Sequence, residues 1–116
     1  MAVKLNRTAY RHAQELIAQH LAVPDQRGAW SEHQPSAQQE NTFLKEHGFR
    51  EYARWHLGED DEESEETKGR YKFPYGDFER VHQCAVISAE SRAGRYKYVD
   101  IETAAAHLHG MLRAPS

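Results

Sequence analysis

A single cysteine, Cys84, stands in 116 residues, so no disulfide can close within the chain, and the economical reading is a reducing, cytoplasmic location. No stretch approaches the roughly 20 consecutive apolar residues that cross a bilayer. The opening "MAVKLNRTAYRH" has no apolar core of a secretion signal. Glycine-rich phosphate or dinucleotide motifs, fixed-period repeats and coiled-coil heptads are missing from the sequence too. These absences argue against membrane, secreted, nucleotide-motif and repeat proteins, and leave a small globular chain.

The composition is that of one domain. Hydrophobic residues make up 39% and charged residues 28%, with a mean hydropathy of -0.91, which suits a modest core used economically. The net charge of -3 is unevenly placed, because "EDDEESEE" at 59 to 66 carries seven of the 18 acids and leaves 11 against 15 Lys and Arg. A run with nothing apolar to bury repels itself, so 59–67 is expected to be a solvated linker within a single 1–116 helical domain.

Helical spacing dominates what remains. Leu5, Ala9, Ala13, Leu16, Ile17 and Leu21 repeat with a helical period, with Asn6 or Thr8 as cap and Pro24 as stop. "PDQRGAWSEHQP" reads as a connector whose Trp30 folds onto the helices. Ser36 with Gln39 fits a capping box, and Gly48 can divide 36–57 into two short helices, with Gly58 as the stop. The segment 68–77, rich in Tyr and Phe but holding Pro74 and Gly76, suits an ordered extended loop in which a two-residue strand pair has room. Asp77 then caps a helix over 78–93, and Asp100 a last one over 101–112. The expected fold is all-α, a compact irregular array of four to five short helices with an ordered aromatic loop.

Candidate chemistry is sparse. Eight histidines raise the question of a metal, yet a stable site needs three or four convergent ligands. His82 and Cys84 lie two apart on the expected helix and so point in different directions, as do His107 and His109. His82, Cys84 and His107 form the least unfavourable trio if the last helices pack together. Cys84 within "QCAVI" resembles a small core residue more than a nucleophile. No nucleophile elbow surrounds any serine. An enzyme would need a pocket gathering His82, His107, Asp77 or Glu90, and no catalytic residue, metal or cofactor is assigned from the sequence.

The basic aromatic segments carry the strongest hint of a partner. Trp55, Lys68, Arg70, Tyr71, Lys72, Tyr75, Arg92, Arg95, Tyr96 and Lys97 form the candidate interaction surface. Interleaved rings and cations are also what single-stranded nucleic acid binding uses. The blocks "NTFLKEHGFREYARWHLG", "TKGRYKFPYGDFERVHQCAVISAESRAG" and "DIETAAAHLHGML", in that order over about 36–112, resemble a group of small uncharacterised bacterial proteins, some associated with phage or mobile elements. The resemblance implies no activity, cofactor or catalytic residue. The expected function is therefore non-enzymatic: binding a protein partner or a second copy, with nucleic-acid binding through 68–80 and 92–98 as the alternative, and no membrane role.

Overall fold

The computed structural model describes residues 3–113, and its architecture corrects the all-α expectation. Among the described residues five short strands in two sheets are interspersed with the helices, so the fold is mixed α and β. One sheet is antiparallel, in the order β1 (Val3–Leu5), β3 (His56–Asp60), β4 (Tyr71–Pro74). The other pairs β2 (Ala22–Val23) in parallel with β5 (Val81–His82). These strands escape sequence reading because they hold two to five residues, too few for an apolar and polar alternation such as Val3-Lys4-Leu5 to stand out. "HLGED" continues a helical pattern on paper, yet its register sets Gly58 between Leu5 and Lys72. Gly58 is a strand residue and not a helix stop, and a Cβ there would meet the Phe73 ring at 2.8 Å.

Local chemistry sets the helices. In α1 (Arg7–Ala18) the Asn6 side chain accepts the Ala9 N–H, satisfying one of the donors a helix start leaves unpaired. After the single turn of α2 (Trp30–His33), α3 (Ala37–Ala53) opens with the reciprocal Ser36 and Gln39 capping box. Gly48, at φ 83° and ψ 172°, breaks α3 into the two expected segments, because that conformation strains any residue with a Cβ. The long α4 begins only at Gln83 and runs to Arg95, followed by α5 (Val99–Arg113).

The expected helix start at Asp77 is a second correction. Phe78 takes φ 72°, outside helical space. The Asp77 Oδ1 accepts the N–H groups of Glu79 and Arg80, an Asx turn in place of a helix cap. Val81 then pairs with Ala22 and His82 with Val23.

The core lies between α1, the larger sheet, α4 and α5. Ala9, Ala13 and Leu16 meet Leu57, Phe73, Val86, Ala89, Ala93, Ile101, Ala105 and Leu108. Alanines on α4 and α5 let the two helices approach closely, and burying their facing sides supplies much of the apolar driving force. The acidic residues at 61–66 are exposed in the connection between β3 and β4, while Glu59 and Asp60 belong to β3. Among the described residues no helix is long and apolar enough to cross a membrane.

Candidate metal centre

The parallel register of β2 and β5 decides what meets at the end of the smaller sheet. Val23 lies beside His82, so two residues further along each chain Asp25 comes beside Cys84. Pro24 and a tight turn, with the Asp25 N–H donating to the Val23 carbonyl at 2.9 Å, hold the carboxylate inward. His82 is extended, at φ -105° and ψ 125°, so residues 82 and 84 share a side as they would in a strand. Four residues, Asp25, His33, His82 and Cys84, thereby place one donor atom each within 4.8 Å of one another.

Asp25 is the hub. Its Oδ2 lies 2.8 Å from His33 Nδ1, 2.7 Å from His82 Nδ1 and 3.1 Å from Cys84 Sγ, while Oδ1 accepts the Cys84 N–H at 2.7 Å. That last bond has a local cause. The α4 N-cap, His82, makes no capping bond with its own side chain, and a carboxylate from another element fills the role. The other ring nitrogen of His82, Nε2, lies 2.8 Å from Asp77 Oδ2. Cys84 Sγ and His33 Nδ1 are 3.7 Å apart. Trp30 roofs the cluster, packed on Cys84 and Ala85 and tilted over the His82 ring at 5.8 Å.

The ionisation of these groups follows from that geometry. Burial opposes the charge on Asp25, but hydrogen bonds from the Cys84 N–H, His82, the Cys84 thiol and His33 outweigh it and hold the carboxyl well below its usual range. Burial likewise opposes charge on His82, but bonds to Asp77 and Asp25 prevail and raise its pKa. Burial and the Asp25 carboxylate push the Cys84 thiol up to about 12. A nucleophilic cysteine needs the opposite, a cationic neighbour that favours the thiolate. Facing Asp25, Cys84 is unsuited to nucleophilic attack, and the same four donors suit a cation.

His82 and Cys84, expected to point apart as residues two apart on one helix, instead both reach the Asp25 carboxylate. His82 is the last residue of a strand and Cys84 lies in the first turn of a helix, so they converge. His107 does not join them. It is exposed, edge-on to Tyr10 at 6.1 Å, and Glu90 pairs with His109 at 3.0 Å. Asp25 and His33 were missed because both lie in a connector that pattern alone reads as solvated. The available signal was "D…H" in 25–33 and "HQC" in 82–84, two stretches that each carry two possible ligands.

The expected interaction surface divides in two. Trp55 and Tyr75 are core residues, stacked at 5.5 Å, with the Tyr75 hydroxyl donating to the Arg54 carbonyl at 2.7 Å. They present no surface. Lys68 pairs with Glu40, Arg70 with Glu59, and the Tyr71 hydroxyl donates to the Glu65 carbonyl, so the 68–71 cations and ring hold down neighbouring chain. Lys72, on β4, is half-buried. Arg92, Arg95, Tyr96 and Lys97 are exposed, at and beyond the end of α4. The apolar faces of α4 and α5 cover each other, and among the described residues the large exposed hydrophobics are Tyr96 and Val99. No family model, curated protein or solved structure matches the chain.

Proposed function

We propose that this chain is a non-enzymatic binding module organised around a divalent transition metal, zinc being the ion that best suits its donors. One observation carries the reading: a carboxylate, two imidazoles and a thiol from separate segments converge within 4.8 Å. Zinc takes exactly this mixture of O, N and S ligands in tetrahedral sites, with bonds of about 2.0 to 2.3 Å and hence edges of about 3.3 to 3.7 Å. The contacts of 2.7 to 3.7 Å about Asp25 Oδ2 and Cys84 Sγ, in a set of donors no more than 4.8 Å apart, reach those edges by shifts of about 1 Å.

Asp77 supports the reading from outside the cluster. Its carboxylate accepts the hydrogen bond from His82 Nε2–H, so Nδ1, which donates to Asp25 in the metal-free protein, is the nitrogen that gives up its proton and turns its lone pair to an ion. Four protein ligands leave no open coordination position, which favours a structural ion over a hydrolytic one. The ion would join the 25–33 connector to the start of α4, displacing protons from Cys84 and the imidazoles as it binds.

Cobalt titration of the metal-free protein tests this. The expected result is one equivalent bound with tetrahedral absorption bands and a thiolate-to-cobalt charge-transfer band that Cys84→Ser removes. Absence of stoichiometric cobalt or zinc binding at neutral pH would overturn the proposal.

A further inference from the structure

Beside the metal centre lies a groove of roughly 370 Å³ with one wall from the connector, carrying Arg27 and Trp30, and the other from α4, carrying Ser88, Ser91, Arg92 and Arg95. The α4 wall is a helical stripe: 88, 91 and 95 succeed one another at spacings of three and four, with Arg92 beside Ser91, so the groove runs along the helix from the side nearer Cys84 toward Arg95. Among the described residues no carboxylate lines it. Among the described residues none of the three arginines makes an ion pair, although most of the other cations near the 59–71 segment do. Unneutralised guanidinium groups on both walls of one groove, with serine hydroxyls between them, form a surface complementary to phosphate oxygens.

We infer that this groove binds the phosphodiester backbone of single-stranded nucleic acid. The groove is open, with Arg92 and Arg95 along one wall and Arg27 on the other, an arrangement that can follow a strand and does not enclose one small anion. Tyr96, which follows the groove residue Arg95 in the chain, is 56% exposed and 6.0 Å from Tyr98, and it offers a ring face on which a base can stack. Arg92 is held in place over the Phe73 ring at 5.5 Å, so part of the cost of ordering it is already met by the fold. The acids that dominate the net charge belong to a different segment, the connection between β3 and β4. The inference goes beyond the metal reading and does not depend on it.

The test is fluorescence anisotropy with a labelled oligothymidylate at several salt concentrations, on protein whose metal content is recorded. Absence of metal and absence of binding are then separate results. Wild-type binding is expected to weaken steeply with salt. Arg27→Ala with Arg95→Ala should weaken it at least tenfold and lower the salt slope by about 1.4, since each lost single-strand phosphate contact removes about 0.7. Arg7→Ala with Arg11→Ala, an equal charge change on exposed positions of α1, should leave both quantities near wild type. All four arginines are exposed, and unchanged melting temperatures would show that folding is intact. No binding by wild type at 50 mM salt overturns the inference, as does an equal loss in both double variants, which would mark diffuse charge attraction.

Discussion

Asp25→Ala removes the hub and leaves the elements around it in place. In the metal-free protein the carboxylate accepts from the Cys84 N–H, the Cys84 thiol, His33 and His82, and its side chain is only 8% exposed. Loss of the bond to the Cys84 N–H uncaps α4, a cost of about 1 kcal/mol. The nearly buried His82 loses a charge-assisted partner, which adds about 1.5 to 3 kcal/mol. The His33 bond, at a more exposed ring, adds little. A total near 3 kcal/mol is a large share of the roughly 5 to 15 kcal/mol that holds a domain folded. Urea unfolding followed by tryptophan fluorescence, with chelator present at pH 7, reads it directly. The midpoint should fall by about 2 M if the slope is near 1.5 kcal/mol/M, with the slope unchanged. Asp25→Asn, which keeps an acceptor for the Cys84 N–H, should lose less. Added zinc should raise the wild-type midpoint and leave that of Asp25→Ala where it was. A loss under about 0.5 kcal/mol for Asp25→Ala would refute the view that this carboxylate anchors the connector to α4.

Asp77→Asn should weaken metal binding about 10- to 100-fold while the cobalt spectrum keeps its thiolate band, because it alters the orientation of His82 and not a direct ligand; unchanged affinity in competition with a chelating dye would contradict this. Burial holds His56 down to about 4, only partly offset by its bond to the Tyr52 carbonyl. Below the unfolded value near 6.5 the unfolded chain gains a proton that the folded one refuses, so stability falls as pH drops from about 6.5 to 4, by about 3 kcal/mol from this residue. His56→Phe should flatten that slope relative to wild type in metal-free denaturant titrations, and parallel slopes would count against it. Gly76→Ala should destabilise by about 1 to 3 kcal/mol, since its Cβ would run into the Arg80 carbonyl and the Trp55 ring; a normal melting temperature would show that the 76–81 turn yields more easily than its packing implies. Gly48→Ala has open space around it but keeps φ at 83°, so a smaller loss, about 1 kcal/mol, is expected by the same assay.

The aromatic stretch at 71–78 shows where pattern reading succeeds and where it fails. Its composition is equally that of a ligand surface and of a core. Trp55, Tyr75 and Phe78 stack with Phe43 and Tyr52 into one aromatic layer, and only the fold distinguishes that use from display. Arg92 and Arg95 carry the same kind of composition and stay exposed, because α4 turns its alanines inward and this stripe outward.

Helix ends written in side-chain chemistry were legible from the residues alone: the Asn6 cap, the Ser36 and Gln39 box and the break at Gly48 each depend on neighbours within a few positions. Strands of two to five residues were not, because their stability comes from partners up to about 60 residues away in sequence. The cluster of Asp25, His33, His82 and Cys84 belongs to the same class. Asp25 and Cys84 are 59 residues apart, and the pairing of β2 with β5, not any sequence neighbour, brings them together. The sequence by itself determined one domain's worth of helices, their caps and a lone cysteine; the tertiary pairing of β2 with β5 decided that this cysteine faces a carboxylate and two histidines, since convergence of distant ligands is a property of register and not of composition.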